Sequence, residues 1–263
     1  MNRIDKKFKE LKAKDKKAFI AFLTAGYPDF DITERLVLEF EKRGADIIEL
    51  GVPFSDPVAD GPVIQQSSFE ALKKGANLKK ILSLVCRLRR KTEIPLAAMS
   101  YFNPILSYGT SRFITDAISA GLDAVIIPDL PPEEELIFRK EANRRGLAVI
   151  LFMAPTTSRE RARSVARQAK GFIYFVSLAG VTGARRQLPR ELATQLREAK
   201  KISRGIPVCA GFGVSSRQQV RFLSSYCDGV IVGSAIVKKI TENIKNPRLV
   251  EAVGRAVENI ARG

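Results

Sequence analysis

Two carboxylates stand where proton chemistry could be done. Glu49 lies inside the run Ile47-Ile48-Glu49-Leu50-Gly51, and Asp60 follows in Val52-Pro53-Phe54-Ser55-Asp56-Pro57-Val58-Ala59-Asp60-Gly61-Pro62. An ionised carboxylate among aliphatic side chains is costly, and desolvation raises its pKa towards the range of a general acid-base. Side chains alternate along a strand, so Glu49 shares a face with Ile47 when Ile48 and Leu50 point the other way. The plainer reading is a structural ion pair, but no Lys or Arg occupies a comparable strand position, which favours function. Asp60 precedes Gly61-Pro62 and could cap a helix with Pro62 in its first turn. The residues alone leave cap and catalyst both open. The chain has no histidine, which excludes Ser-His-Asp and Cys-His machinery, imidazole bases and an HExxH zinc helix. Proton transfer falls to carboxylates, lysines, tyrosines or thiols.

What must position these groups is a repeating phrase: a helix-like run, a Gly or Asp turn, then a short apolar strand. It occurs before Ile47–Leu50, Ala124–Ile127, Ala148–Phe152 and Val230–Val232. With Phe19–Leu23, Pro95–Met99, Phe172–Val176 and Pro207–Ala210 it yields eight candidate strands. Their unbroken apolar character is that of parallel strands covered on both sides. Between them, Leu78, Ile81, Leu82, Val85 and Leu88 make one helical stripe behind Asn77 as N-cap. Leu36, Val37 and Phe40 make another, and Leu192, Leu196 and Ala199 a third. Eight strand-helix units in 263 residues predict an α/β chain forming a single (β/α)8 TIM barrel over 1–263, with a short basic helix in 1–15 ahead of the first strand. No GxGxxG follows the first strand, which argues against a doubly wound sheet.

In such a barrel the active site lies where strands end and βα loops begin. Glycine clusters follow the last three strands: Gly180-Val181-Thr182-Gly183, Gly211-Phe212-Gly213 and Gly233-Ser234. Each alone is a weak signal, since glycine also makes tight turns. Together they match the backbone-amide phosphate site that barrels build there, with Ser215-Ser216 placed to cap the helix after strand 7. Phe22, Met99, Ile126, Phe152, Tyr174 and Phe212 sit at or near strand ends and suit a planar apolar group, although about half would serve simply to fill a barrel interior.

The formal charge of +16, from 44 Lys or Arg against 28 Asp or Glu, raises a polyanion partner. Residues 1–17 carry eight bases and three acids, and the rest of the excess is scattered over helices, as at Arg87, Arg89, Arg90 and Lys91. Aromatics are not interleaved with these bases as a stacking platform requires, so solvated basic faces are expected and no nucleic acid. Three cysteines without a CxxC pair point to reduced thiols and a cytoplasmic setting. No apolar run reaches the roughly 20 residues of a membrane helix. Lysines followed by Ala18–Leu23 imitate an export signal, but Asp5, Glu10 and Asp15 oppose that reading.

At this point the residues carry a resemblance. The stretch from Glu49 to Pro62 resembles the signature of the tryptophan synthase alpha subunit family, as do Tyr101-Phe102-Asn103-Pro104, Pro128-Asp129-Leu130-Pro131, Gly180-Val181-Thr182-Gly183-Ala184 and Gly211-Phe212-Gly213-Val214-Ser215. The matches run in family order along nearly the whole chain. The resemblance implies a metal-free, non-Schiff-base carbon–carbon lyase that splits indole-3-glycerol phosphate into indole and glyceraldehyde 3-phosphate during tryptophan biosynthesis. It implies Glu49 as the acid-base and Asp60 at the indole nitrogen. Gly183, Gly213, Gly233 and Ser234 would hold the phosphate, and Phe22, Tyr174 and Phe212 would contact the indole. Thr182 would meet Asp60 when the loops close. No cofactor is implied in this chain; the expected partner is a beta subunit carrying pyridoxal phosphate, in an α2β2 complex contacted through Pro53, Phe54 and Asp56. The chain departs from many relatives at Leu178-Ala179, where an arginine often follows Ser177.

Three rivals are weighed against this. Indole-3-glycerol phosphate synthase shares the glycine clusters but needs a strand lysine, which the candidate strands lack. A degenerate subunit that only activates its partner is opposed by the intact Glu49 and Asp60. Nucleic-acid binding through residues 1–15 is the third.

Overall fold

The structure is a computed structural model describing residues 2–134, 136–176, 191–211 and 213–261. Its elements run α1 (Arg3–Ala13), β1 (Ala18–Thr24), α2 (Phe30–Lys42), β2 (Ile47–Gly51), α3 (Pro62–Lys73), α4 (Leu78–Arg89), β3 (Leu96–Met99), α5 (Phe102–Tyr108), α6 (Thr110–Ala120) and β4 (Ala124–Ile126). They continue α7 (Leu136–Arg144), β5 (Ala148–Met153), α8 (Arg159–Gln168), β6 (Ile173–Val176), α9 (Glu191–Ile202), β7 (Val208–Gly211), α10 (Arg217–Ser224), β8 (Gly229–Val232), α11 (Ser234–Glu242) and α12 (Leu249–Ala261). The strands pair in chain order, all parallel, and β8 closes on β1. The chain is the expected (β/α)8 barrel, with each predicted strand present.

The apolar runs follow from two-sided burial. Ile20, Ile47, Ala97, Ile126, Ile150, Phe172, Cys209 and Ile231 fill the barrel interior, whereas Phe19, Leu23, Ile48, Leu50, Val125 and Val149 pack outward with the helices. Asn77 caps α4 as read from sequence, its side chain accepting the Lys80 N–H, and Leu78, Ile81, Leu82, Val85 and Leu88 are buried.

The turn phrase has a structural reason. Asp46 accepts the N–H of Phe19 at 2.9 Å, Asp123 that of Leu96 at 2.9 Å, and Asp228 that of Val208 at 3.0 Å. Each aspartate stands just before an even-numbered strand and satisfies the first residues of the strand before it, where a buried amide would otherwise lack an acceptor. Asp123 does more, because Arg89 and Arg3 both donate to it. Arg89 spends its remaining donors on the carbonyls of Gly121, Thr92 and Ile94. Asp123→Ala therefore strands a buried guanidinium and a buried amide together, and should lower stability by about 3–5 kcal/mol, read as a lower urea midpoint at unchanged m-value.

Two expectations about charge need correction. Arg89 is not on a solvated face but inside this network, with a side chain 10% exposed, and Arg87 and Lys91 converge on Glu34 at 2.7 Å each. The basic N-terminal helix also has an apolar purpose: Ile4, Phe8 and Leu11 join the interior cluster, Phe8 lying 6.0 Å from Phe172, so α1 covers the base of the barrel. Removing 1–15 would open that base, so nucleic-acid contact is better tested by replacing the exposed Lys9 and Lys12. Among the described residues no helix is long and apolar enough to cross a membrane.

Candidate active site

Glu49 sits on β2 between Phe22 of β1 and Ala97 of β3 in register. Its neighbours Ile48 and Leu50 pack outward, so strand alternation turns its carboxyl into the barrel, as the sequence pattern required. It is 0% exposed, and among the described residues neither carboxyl oxygen has a hydrogen-bond partner. Burial, reinforced by the nearby Asp60, pushes its pKa up to about 8.

The open alternative at Asp60 closes here. The N-cap of α3 is Gly61, with Pro62 in the first turn and no side-chain cap bond. Asp60 instead receives the Tyr101 hydroxyl on Oδ2 at 3.1 Å, while its backbone carbonyl accepts from Gln65. Burial raises its carboxyl to about 6 against the lowering effect of the Tyr101 bond. Near pH 7 the site thus holds one protonated and one ionised carboxyl, which is the division a proton-transfer site needs.

Around them the rings are seated by glycines. A Cβ on Gly51 would lie 2.5 Å from Phe22 Cζ, and one on Gly211 2.6 Å from Tyr174 Cε1, so each ring occupies space that only a bare backbone leaves. Gly211, read from sequence with the phosphate cluster, thus makes room for Tyr174. Phe152 and Tyr174 pack at 5.2 Å, and with Met99 they are half-buried above the interior cluster, whereas Ile126 is fully buried within it.

Gly213 has φ +63°, a left-handed conformation that suits glycine, and Ser216 caps α10 by accepting the Gln219 N–H. Gly233 is the N-cap of α11 with no side-chain cap bond, leaving the first turn beginning at Ser234 for an anion. Gly213 and Gly233 follow neighbouring strands, β7 and β8. Thr182, Gly183, Phe212 and the Leu178-Ala179 departure lie outside the described residues. On the loop after β2, Pro53 is buried, Phe54 half-buried and Asp56 exposed.

The sequence shows Tyr101 only as part of a motif, and its bond to Asp60 is visible only in the fold. The available signal was its position just beyond the end of β3, where the barrel rule directs attention. The exposed Val58, Leu106 and Ile137, on the segments after β2, β3 and β4, were also unread.

The family model described as tryptophan synthase alpha chain matches residues 8–261. A tryptophan synthase alpha chain from Citrifermentans bemidjiense is 47% identical over 263 residues, covering 100% of this chain and 98% of its own. One from Geotalea daltonii is 49% identical over 242 residues, covering 92% of this chain and 91% of its own. Among solved structures, tryptophan synthase subunit alpha from Legionella pneumophila superposes with a TM-score of 0.92 at 37% identity, covering 100% of this chain and 98% of that one. A tryptophan synthase complex from Pyrococcus furiosus aligns with a TM-score of 0.85 at 37% identity, over 94% of this chain and 98% of that one.

Proposed function

The chain belongs to the tryptophan synthase alpha chain family, and from that premise we propose that Glu49 and Asp60 run its cleavage of indole-3-glycerol phosphate to indole and glyceraldehyde 3-phosphate. The observation that carries these roles is the fully buried Glu49 carboxyl, without a hydrogen-bond partner among the described residues, facing the barrel interior beside Asp60. Protonated Glu49 delivers its proton to indole C3, which converts the ring to an indolenine cation with charge at N1. The Asp60 carboxylate accepts the N1–H and stabilises that charge. Glu49, now a carboxylate, takes the proton of the side-chain hydroxyl on the carbon bonded to C3. That carbon becomes the aldehyde, the C3–carbon bond breaks, and its electron pair returns to the ring as indole. Glu49 ends protonated, so the cycle is balanced without an added base.

The phosphate is assigned to the backbone amides around Gly213, Gly233 and Ser234, together with Gly183, and the indole to the slot bounded by Phe22 and Tyr174 with Met99 and Phe152. Thr182 and Phe212 are kept as indole-side contacts and Ile126 as the floor. None of the described strands carries a lysine, which disfavours the synthase alternative. The subunit needs no cofactor of its own, and its partner is the beta subunit, which holds pyridoxal phosphate. Docking through Pro53, Phe54 and Asp56 extends, on this reading, to the exposed apolar Val58, Leu106 and Ile137 after β2, β3 and β4. We take residues 1–263 as one domain and the cytoplasm as its place.

The test is the pH dependence of indole release. The acid form of Glu49 is lost above about 8 and the carboxylate of Asp60 below about 6 in the free protein, so kcat/KM should be bell-shaped with limbs near these values. A profile flat from pH 5 to 9 would remove both assignments.

A further inference from the structure

We propose that Tyr101 is a positioning residue for this cleavage, tying Asp60 to the rigid end of β3 so that its free carboxylate oxygen meets the indole N–H. The inference rests on the role given to Asp60 above. The Tyr101 hydroxyl makes two bonds to the loop after β2: it donates to Asp60 Oδ2 at 3.1 Å and accepts the Ala59 N–H at 2.9 Å. Its ring packs against Phe54 at 5.2 Å, so one side chain touches the loop at three places. Tyr101 itself is 3% exposed and firmly held. The Ser100 N–H donates to Ile126 on β4, the Ser100 hydroxyl donates to the Tyr101 carbonyl, and Phe102 N–H donates to Asp129 beyond β4.

A loop carrying a catalytic carboxylate gains little precision from its own backbone, and positioning through a second group on a rigid element is the usual remedy. Because Oδ2 is occupied by the phenol, Oδ1 is left to accept the N1–H. Burial and the Asp60 charge raise the phenol's pKa above its ordinary value, so it remains a donor across the working range. Among the described residues the ionisable groups facing Asp60 are Glu49 from β2, Tyr101 from the loop after β3 and Tyr174 from β6, with Asp129 facing the phenol from beyond β4. None is a cation, so the Tyr101 bond is the lowering influence on Asp60.

The experiment compares Tyr101→Phe with Asp60→Asn, both in complex with the beta subunit, measuring indole release against substrate concentration and pH. Tyr101→Phe removes one oxygen and keeps the ring on Phe54, and circular dichroism verifies the fold. Expected are a kcat lower by between about tenfold and 100-fold, KM within about twofold, and an acid limb moved to higher pH. Unchanged kcat and limb in Tyr101→Phe, with Asp60→Asn inactive, overturns the positioning role alone. A fall in kcat with an unmoved acid limb also overturns it, because the phenol would then act other than through Asp60. Full activity in Asp60→Asn instead removes the Asp60 reading itself.

Discussion

Glu49→Gln should abolish indole release, lowering kcat by at least about 10³-fold, while indole-3-glycerol phosphate still binds. Gln keeps the size and shape of the glutamic acid but has no carboxyl proton to deliver to C3 and no carboxylate to take up the hydroxyl proton afterwards. Both halves of the cycle fail at one atom. The phosphate amides, the ring slot and Asp60 are untouched, so calorimetric titration with substrate should give an affinity within a few fold of the parent. Substantial turnover in this variant would refute the assignment of Glu49. Loss of binding together with turnover would mean that the carboxyl holds the substrate and not the proton.

The same substitution should make the protein more stable, increasingly so as pH rises. Glu49 has a folded pKa of about 8 against an ordinary value of 4.5. The folded state therefore holds its proton more tightly than the unfolded chain. The sign follows: the stability is fully present below 4.5, declines as pH rises, and is lost once pH passes about 8. The slope in that window is about 1.4 kcal/mol per pH unit, which amounts to about 3 kcal/mol at pH 7. Gln does not titrate and leaves a comparable unpartnered polar group, so the other costs largely cancel. Urea unfolding at pH 5 and pH 8 should show the Glu49→Gln advantage small at the first and several kcal/mol at the second. An advantage that does not grow with pH would mean that the folded protein does not hold this carboxyl neutral. Asp60, raised to about 6, adds pH dependence of the same sign at lower pH in both proteins.

These two effects express one trade. A carboxyl set among Phe22, Ala97 and the interior aliphatics destabilises the fold at neutral pH, and the same desolvation makes it a usable acid there. At the other end of the barrel, by contrast, the buried charge of Arg89 is matched by Asp123 and three carbonyls.

By itself the sequence determined the barrel and the direction of Glu49. Strands buried on both faces leave continuous apolar runs, and a period of two fixes which side a residue takes, so both facts are local. Gly213 after strand 7 was legible for the same reason, since a left-handed backbone conformation is written in the glycine that adopts it. Only the tertiary structure decided the rest. Whether Asp60 caps α3 or faces the site depended on Tyr101, which is 41 positions away and belongs to another strand's loop. The base-covering role of α1 was hidden because Ile4, Phe8 and Leu11 acquire a partner only when Phe172 closes beneath the barrel. Gly211 looked like a phosphate residue until the Tyr174 ring lay over it. The +16 charge remained unread for a similar reason: a count of charges contains no pairing, and Arg89 becomes a structural residue only where three carbonyls and Asp123 converge on it. Periodicity and turn chemistry act between neighbours in sequence, whereas hydrogen bonds to a buried carboxylate are made between neighbours in space.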